Sequence, residues 1–263
     1  MARNRPRARG LYHRIVLGLE RRVFARTPQI VAISDAGRRE IGSLYGVTAE
    51  RLTVVYNGVD LERFHPRNRV THRAGARAEA GVPPDAWAVL FVGSGFERKG
   101  LGTAIEAFAA LPDRESRLLI LGKGDTRTYR AMAARAGIGP RVAWLGARPD
   151  PERWYAAADL VTLPSRYEPF GNVHLEALAS GLPVVASARA GGAEVIADGL
   201  NGAVVDPTDA SAVAAALARF REGSTRDVGE AARRSAEPFT YRAQVSALQR
   251  VYERMSPARC DFP

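Results

Sequence analysis

The chain has 263 residues, a formal net charge of +10, and 46% hydrophobic residues of which aromatics make up 8% of the whole. This suits one large or two small globular domains with a sizeable core. No run of 18 apolar residues occurs, so nothing reads as a membrane-spanning helix, and the stretch IVLGL ahead of Glu20-Arg21-Arg22 is too short for a secretory signal. The single cysteine, Cys260, cannot form an internal disulfide, so a reducing cytoplasm is the expected compartment.

Charge is concentrated at the start of the chain. Residues 1–26 hold eight arginines and one acid, Glu20, for a net +7, and the other 237 residues carry +3. Such a stretch can make peripheral contact with an anionic membrane surface at the inner face or stand as a solvated basic tail; composition favours neither. Nucleic acid fits poorly, because the body of the chain has no recognition motif and no interleaving of basic and aromatic residues.

Next along the chain, QIVAIS (29–34) predicts a strand, Asp35–Tyr45 a helix, and LTVVYNGVD (52–60) a strand ending in an Asn57-Gly58 turn. From residue 87 short apolar runs alternate with Ala-rich helical windows. Strands are predicted at 88–93, 117–122, 141–146, 159–164, 183–187 and 202–206, and helices at Leu101–Leu111, Thr128–Ala136, Glu152–Ala157, Val173–Ala179 and around Ala193–Ala197. This alternation predicts an α/β fold, a Rossmann-like doubly wound parallel sheet whose ligands bind beyond the carboxyl ends of the strands. Thr240–Met255 predicts a closing helix with Tyr241, Val245, Leu248 and Val251 on one stripe.

Two loops leave such strand ends. VGSGFERKG (92–100) sets Arg98 and Lys99 at the start of a helix, and Lys99 is one of only two lysines against 36 arginines. A compact ammonium beside a forked guanidinium suits a diphosphate. The second segment, PSRYEPFGNVHLEALASGLP (164–183), puts Glu168 before a helix start and Glu176 about one turn inside it. The two acids flank the orphan N–H groups of a helix end, where phosphate and sugar hydroxyls are attracted. Spacing does not carry this reading, since Glu222 and Glu230 also stand eight apart in an ordinary amphipathic stretch.

These two segments resemble the donor site of retaining glycosyltransferases of the GT-B fold, family four, and look most like the branch that builds lipopolysaccharide cores. The resemblance implies a nucleotide-sugar donor, a UDP-sugar before a GDP-sugar, and a glycan or glycolipid acceptor. It assigns the ribose to Glu176, and the donor sugar to Glu168 with the amides of Gly171, Asn172 and Val173. It assigns the leaving diphosphate to Arg98 and Lys99, making Arg98, Lys99 and Glu168 the catalytic set. Gly93, Ser94, Gly122 and Phe170 complete the expected donor-binding residues. Glu194, after Gly191-Gly192, matches a further sugar-facing loop, with a structural role equally open.

The same resemblance divides the chain into a basic stretch with the last elements of an N-terminal acceptor domain (1–60), a donor-binding domain (61–235) and a helix with tail (236–263). That helix either crosses back to the N-terminal domain or caps the sheet. Most of an N-terminal domain is absent, so a truncated donor-binding half, incompetent without a partner, is the alternative function. No cofactor and no metal are required in this scheme: Asp-x-Asp occurs nowhere, and His13, His65, His72 and His174 lack ligand spacing. His174, between the two acids, either approaches the donor or lies on the helix surface. A nicotinamide oxidoreductase is disfavoured, because Gly93 and Gly95 are followed by Arg98 where a third glycine is needed.

Overall fold

The structure is a computed structural model that describes residues 11–223 and 225–255; the first ten residues of the basic stretch and Cys260 lie outside them. The chain forms two compact units, Met1–Tyr56 with Arg242–Pro263 and Asn57–Tyr241.

The smaller unit contains α1 (Leu11–Arg26), β1 (Ile30–Ala32), α2 (Asp35–Tyr45) and β2 (Leu52–Val54). β1 and β2 pair in parallel, over a small core of Ile30, Val47 and Leu52. Ser34 caps α2 by accepting from the Gly37 N–H at 3.0 Å. The expected strand over 52–60 ends at Val54. Beyond it, within the larger unit, Val59 bridges Thr240 instead, and a Cβ on Gly58 would lie 2.6 Å from the Tyr241 amide nitrogen.

The larger unit runs α3 (Asn68–Glu79), β3 (Ala88–Val92), α4 (Phe96–Lys99), α5 (Leu101–Ala109), β4 (Arg117–Leu121), α6 (Thr126–Arg135), β5 (Val142–Gly146), α7 (Pro151–Ala157), β6 (Leu160–Leu163), α8 (Val173–Ala179), β7 (Val184–Ser187), β8 (Gly202–Val205), α9 (Ala210–Glu222) and α10 (Thr225–Ala236). Helix α11 (Tyr241–Met255) closes the chain. All six strands β3 to β8 are parallel, in the order β5-β4-β3-β6-β7-β8. The order reverses between β3 and β6, which pair Val89 with Leu160 and Leu90 with Val161. A doubly wound sheet opens a crevice at such a reversal, at the carboxyl ends of its strands.

Residues 88–91 of β3 are fully buried, as expected for a parallel strand covered on both faces. Val89 and Phe91 join one cluster with Leu101, Ile105 and Phe108 of α5 and with Val213, Leu217 and Phe220 of α9. Helix α3 packs on α7, and α10 on α8. The structure corrects the sequence reading in three other places. The expected helix around 193–197 is a short 3-10 turn, Gly191–Val195, because the N–H groups of Gly191 and Gly192 donate to Glu168 and Phe170 carbonyls. On α11, Val251 is buried, but Tyr241 and Val245 of the expected stripe are 56% and 51% exposed. Helices α3, α9 and α10 were not among the expected elements: the buried positions of α3 and α10 are alanine and arginine, which give no apolar periodicity, whereas α9 buries an apolar face of Val213, Ala216, Leu217 and Phe220 that the sequence reading passed over.

Arginine does on α3 what leucine does elsewhere. Arg69, Arg73 and Arg77 recur every fourth residue on one helix face and reach the Asp159 carboxylate at 2.8, 2.6 and 2.7 Å. Asp159 also accepts from the Ala88 N–H at 2.9 Å, joining α3 to the starts of β3 and β6. Burial pushes the Asp159 carboxyl up, but Arg73, the Ala88 amide and Arg77 more than offset this and hold it below the ordinary carboxylate range. Asp159→Ala leaves the buried Arg77 and the partly buried Arg69 and Arg73 without their acid, so it should cost about 3–5 kcal/mol. Denaturant unfolding checks this, and a change under about 1 kcal/mol would contradict it.

Candidate functional site

Both loops singled out in the sequence emerge at the β3/β6 reversal. The first is built around α4, a single turn between two left-handed glycines, Gly95 (φ 76°) and Gly100 (φ 76°). Phe96 anchors that turn by its burial and its edge-to-face contact with Tyr129, ring centroids 5.7 Å apart. This anchoring points Arg98 and Lys99 toward the second loop. There, the Arg98 Nη1 and the Lys99 Nζ meet the same oxygen, Glu168 Oε2, at 2.8 and 2.6 Å.

The loops are also tied by backbone, since the Arg166 N–H donates to the Arg98 carbonyl at 2.8 Å. A third segment joins them: Glu168 pairs with Ala190 as an isolated parallel bridge, and the Gly191 N–H donates to the Glu168 carbonyl at 2.9 Å. Burial pushes the Glu168 carboxyl up, but hydrogen bonds and charge from Lys99 and Arg98 bring it below its usual range. It is therefore ionised at neutral pH. Lys99 is largely buried and Arg98 about half exposed, with side-chain exposures of 10% and 49%.

The remaining predicted residues line up around this pair. Gly93 and Ser94 follow β3, and the Ser94 hydroxyl accepts from the Lys123 N–H at 3.1 Å. Gly122 ends β4 so close to that loop that a Cβ on it would fall 2.0 Å from the Gly93 carbonyl oxygen. Phe170 is fully buried, so its ring supports the loop from below. Gly171 (φ 82°) takes a conformation that favours glycine, and a Cβ there would lie 2.9 Å from the Glu168 Cγ. Asn172 and Val173 begin α8, where N–H groups lack a helical acceptor. Asn57 reaches this start, its amide donating to the Asn172 Oδ1 at 2.7 Å. Glu194 is exposed on its 3-10 turn.

Glu176 sits deeper than Glu168 and is held differently. The Tyr155 hydroxyl donates to Glu176 Oε2 at 2.7 Å. Burial pushes the Glu176 carboxyl up, while this hydrogen bond opposes the shift. Tyr155 itself is fully buried, its hydroxyl pushed well above the ordinary range by burial and the adjacent Glu176 charge. The sequence reading missed Tyr155. The available signal was Tyr155 in the apolar run Trp154–Ala158, where a buried O–H requires a partner.

His174 does not lie on the helix surface: it is 1% exposed. Its Nδ1 is 2.7 Å from the Gly171 carbonyl. A carbonyl only accepts, so Nδ1 carries the proton and donates. Burial pushes the imidazole pKa down to about 4, so it is neutral and serves to brace the Gly171 turn.

The fold and the placement of these loops define a doubly wound α/β protein with a mixed-charge site at its topological switch point. Residues 73–235 match the family described as Glycosyl transferases group 1, and residues 2–63 match Glycosyltransferase Family 4. The chain belongs to the group 1 glycosyltransferases. Among its relatives, the D-inositol 3-phosphate glycosyltransferase of Xylanimonas cellulosilytica is 34% identical over 254 residues, covering 91% of this chain and 60% of the relative. That of Corynebacterium glutamicum is 38% identical over 223 residues, covering 79% and 53%. Among solved structures, WaaG, a glycosyltransferase of lipopolysaccharide biosynthesis, superposes with a TM-score of 0.81 at 27% identity, over 92% of this chain and 68% of that one. Anabaena HepE in complex with UDP-glucose gives 0.78 at 26%, over 91% and 66%. The chain thus spans 60% or less of the length of these curated relatives.

A buried histidine held neutral makes stability depend on pH. Its folded pKa of about 4 lies below the ordinary imidazole value of 6.5, so the unfolded chain binds the extra proton and stability falls as pH drops from about 6.5 toward 4. His174→Met, neutral throughout, should make that decline shallower in denaturant melts across this range. An identical slope would contradict the assignment.

Proposed function

We propose that the chain carries the donor site of a retaining glycosyltransferase that works without a bound metal and moves a sugar from a UDP-sugar, or second a GDP-sugar, to a glycan or glycolipid acceptor. The observation that carries the reading is the shared Glu168 oxygen, which fixes a guanidinium and an ammonium side by side at the sheet's switch point. In the reaction the bond from the anomeric carbon to the diphosphate oxygen breaks, and its electron pair leaves with the diphosphate. Arg98 and Lys99 then face the growing negative charge, which fixed cations stabilise more in this transition state than in the ground state. The acceptor oxygen bonds to the anomeric carbon on the face the diphosphate leaves and passes its proton to the departing diphosphate oxygen. Glu176, its carboxylate held by Tyr155, receives the ribose hydroxyls, and Glu168 with the amides of Gly171, Asn172 and Val173 receives the sugar. HepE is solved in complex with UDP, with UDP and glucose, and with UDP-glucose, which supports the choice of donor.

Two acceptor classes are candidates: a lipopolysaccharide core glycolipid, from the sequence resemblance and in keeping with the part of WaaG in lipopolysaccharide biosynthesis, and a phosphorylated inositol, after the named function of the first relatives. A second reading of activity rests on the fraction of the relatives that the chain spans. On that reading this chain binds donor but transfers sugar only with a partner or further segment supplying the acceptor side. Sugar transfer by the 263-residue chain itself would contradict it.

Calorimetric titration with uridine and guanosine diphosphates tests the donor site. UDP should bind, and Glu176→Ala should weaken binding about tenfold or more, near 1.4 kcal/mol. No binding of either nucleotide, or identical affinity in the variant, would sink the proposal. Wherever transfer is measurable, Lys99→Ala should lower kcat by about 10²–10³-fold, the scale for losing one preorganised charge-stabilising group.

Peripheral contact with a cytoplasmic, anionic membrane face is part of the proposal. Helix α1 exposes Tyr12, Ile15, Leu19 and Val23 along one stripe beside exposed Arg14, Arg21, Arg22 and Arg26, and no helix of the described residues is long and apolar enough to cross a membrane. The chain should sediment with phosphatidylglycerol vesicles at low salt and release at high salt. Equal binding to uncharged phosphatidylcholine vesicles would count against an electrostatic contact.

A further inference from the structure

On the opposite edge of the same sheet lies a cavity of about 720 Å³ that the donor chemistry does not use. Asp159 and Pro183, which precede β6 and β7, form its floor, whereas the donor loops follow β3 and β6. Its walls come from the α3 entry, the turn after α8, and α9 with α10. The volume falls within the range of about 300–1,000 Å³ common for small-molecule sites.

The lining has one chemical bias. Arg69, Arg233 and Arg234 border the cavity, together with Phe220 and Val228. Counting Arg73 and Arg77 behind Arg69, five guanidinium groups meet three carboxylates: Asp159, shared by three of them, Glu230, 3.6 Å from Arg234, and Glu237, 3.8 Å from Arg233. Arg73 and Arg233 otherwise donate to backbone carbonyls, those of Ala156–Ala158 and those of Leu61, Phe64 and Ala179. Carbonyls satisfy hydrogen bonds but do not cancel charge, so a cationic surplus remains. Burial lowers the affinity of Arg73 and Arg77 for their protons, and the neighbouring guanidinium groups add a smaller push in the same direction.

We propose that this cavity is a second ligand site, separate from the donor site, for a small organic phosphate with an apolar or aromatic body. The phosphate offsets the guanidinium surplus with charge-assisted hydrogen bonds. Phe220, Val228 and the two prolines, Pro66 and Pro183, cover the apolar body.

Phenyl phosphate is the probe, titrated calorimetrically into the full 263-residue chain, with phenol and inorganic phosphate as the two half-ligands. Saturable binding of phenyl phosphate is expected, with both half-ligands weaker. Arg234, 66% exposed at its side chain, can be reversed without disturbing the core; Arg234→Glu should weaken phenyl phosphate about tenfold or more, near 1.4 kcal/mol. UDP affinity should be the same in wild type and Arg234→Glu, and Arg98→Glu should leave phenyl phosphate binding intact. Absence of saturable binding, indifference to Arg234→Glu, or loss on Arg98→Glu would overturn the proposal. The last outcome would place the phosphate at the donor edge instead.

Discussion

One carboxylate oxygen organises the carboxyl edge of this protein. Glu168 Oε2 takes both the Arg98 guanidinium and the Lys99 ammonium, and neither cation could be held so close to the other without it. Two cations at such separation repel, and their desolvation adds to the cost. A single ionised acid between them converts that repulsion into a fixed arrangement. Its backbone is meanwhile pinned to Ala190 and Gly191, so the arrangement belongs to the sheet edge and not to a mobile side chain. Whatever binds there meets cations already positioned, which is the condition under which electrostatic stabilisation costs no reorganisation.

The sheet order explains why these residues meet at all. Seventy residues separate Arg98 from Glu168 along the chain, yet β3 and β6 are neighbours. Helices wound in opposite senses from that pair leave their loops facing across one crevice. The opposite edge is held by the same economy of charge inverted: there one acid, Asp159, gathers three guanidinium groups of α3. The donor edge shares one acid between two cations and the far edge shares one among three. Both edges depend on the pairing of β3 with β6, since Asp159 accepts from the Ala88 amide at the start of β3.

Much of this was legible in the sequence, for physical reasons that differ from element to element. The six strands stand out because a parallel strand is buried on both faces and reads as an unbroken apolar run, as AVLFV and RLLIL do. Arg98, Lys99 and Glu168 were legible because their loops follow such strands and carry unusual composition. Tyr155 was not, because only the folded chain brings its hydroxyl to Glu176, 21 residues away. His174 was misread in part because α8 is wrapped on several sides, so helical position did not reveal burial. Helix α3 was overlooked because its inward face is arginine, and a polarity count sees a surface helix where the fold has a buried ion cluster.

The most direct test of the central claim is a crystal structure of the chain with a UDP-sugar bound. The diphosphate should lie against Arg98, Lys99 and the amides of Gly171 to Val173, with the ribose hydroxyls on Glu176 and Tyr155 still donating to that carboxylate. A nucleotide bound with its diphosphate away from Arg98 and Lys99, or with its ribose off Glu176, would contradict it.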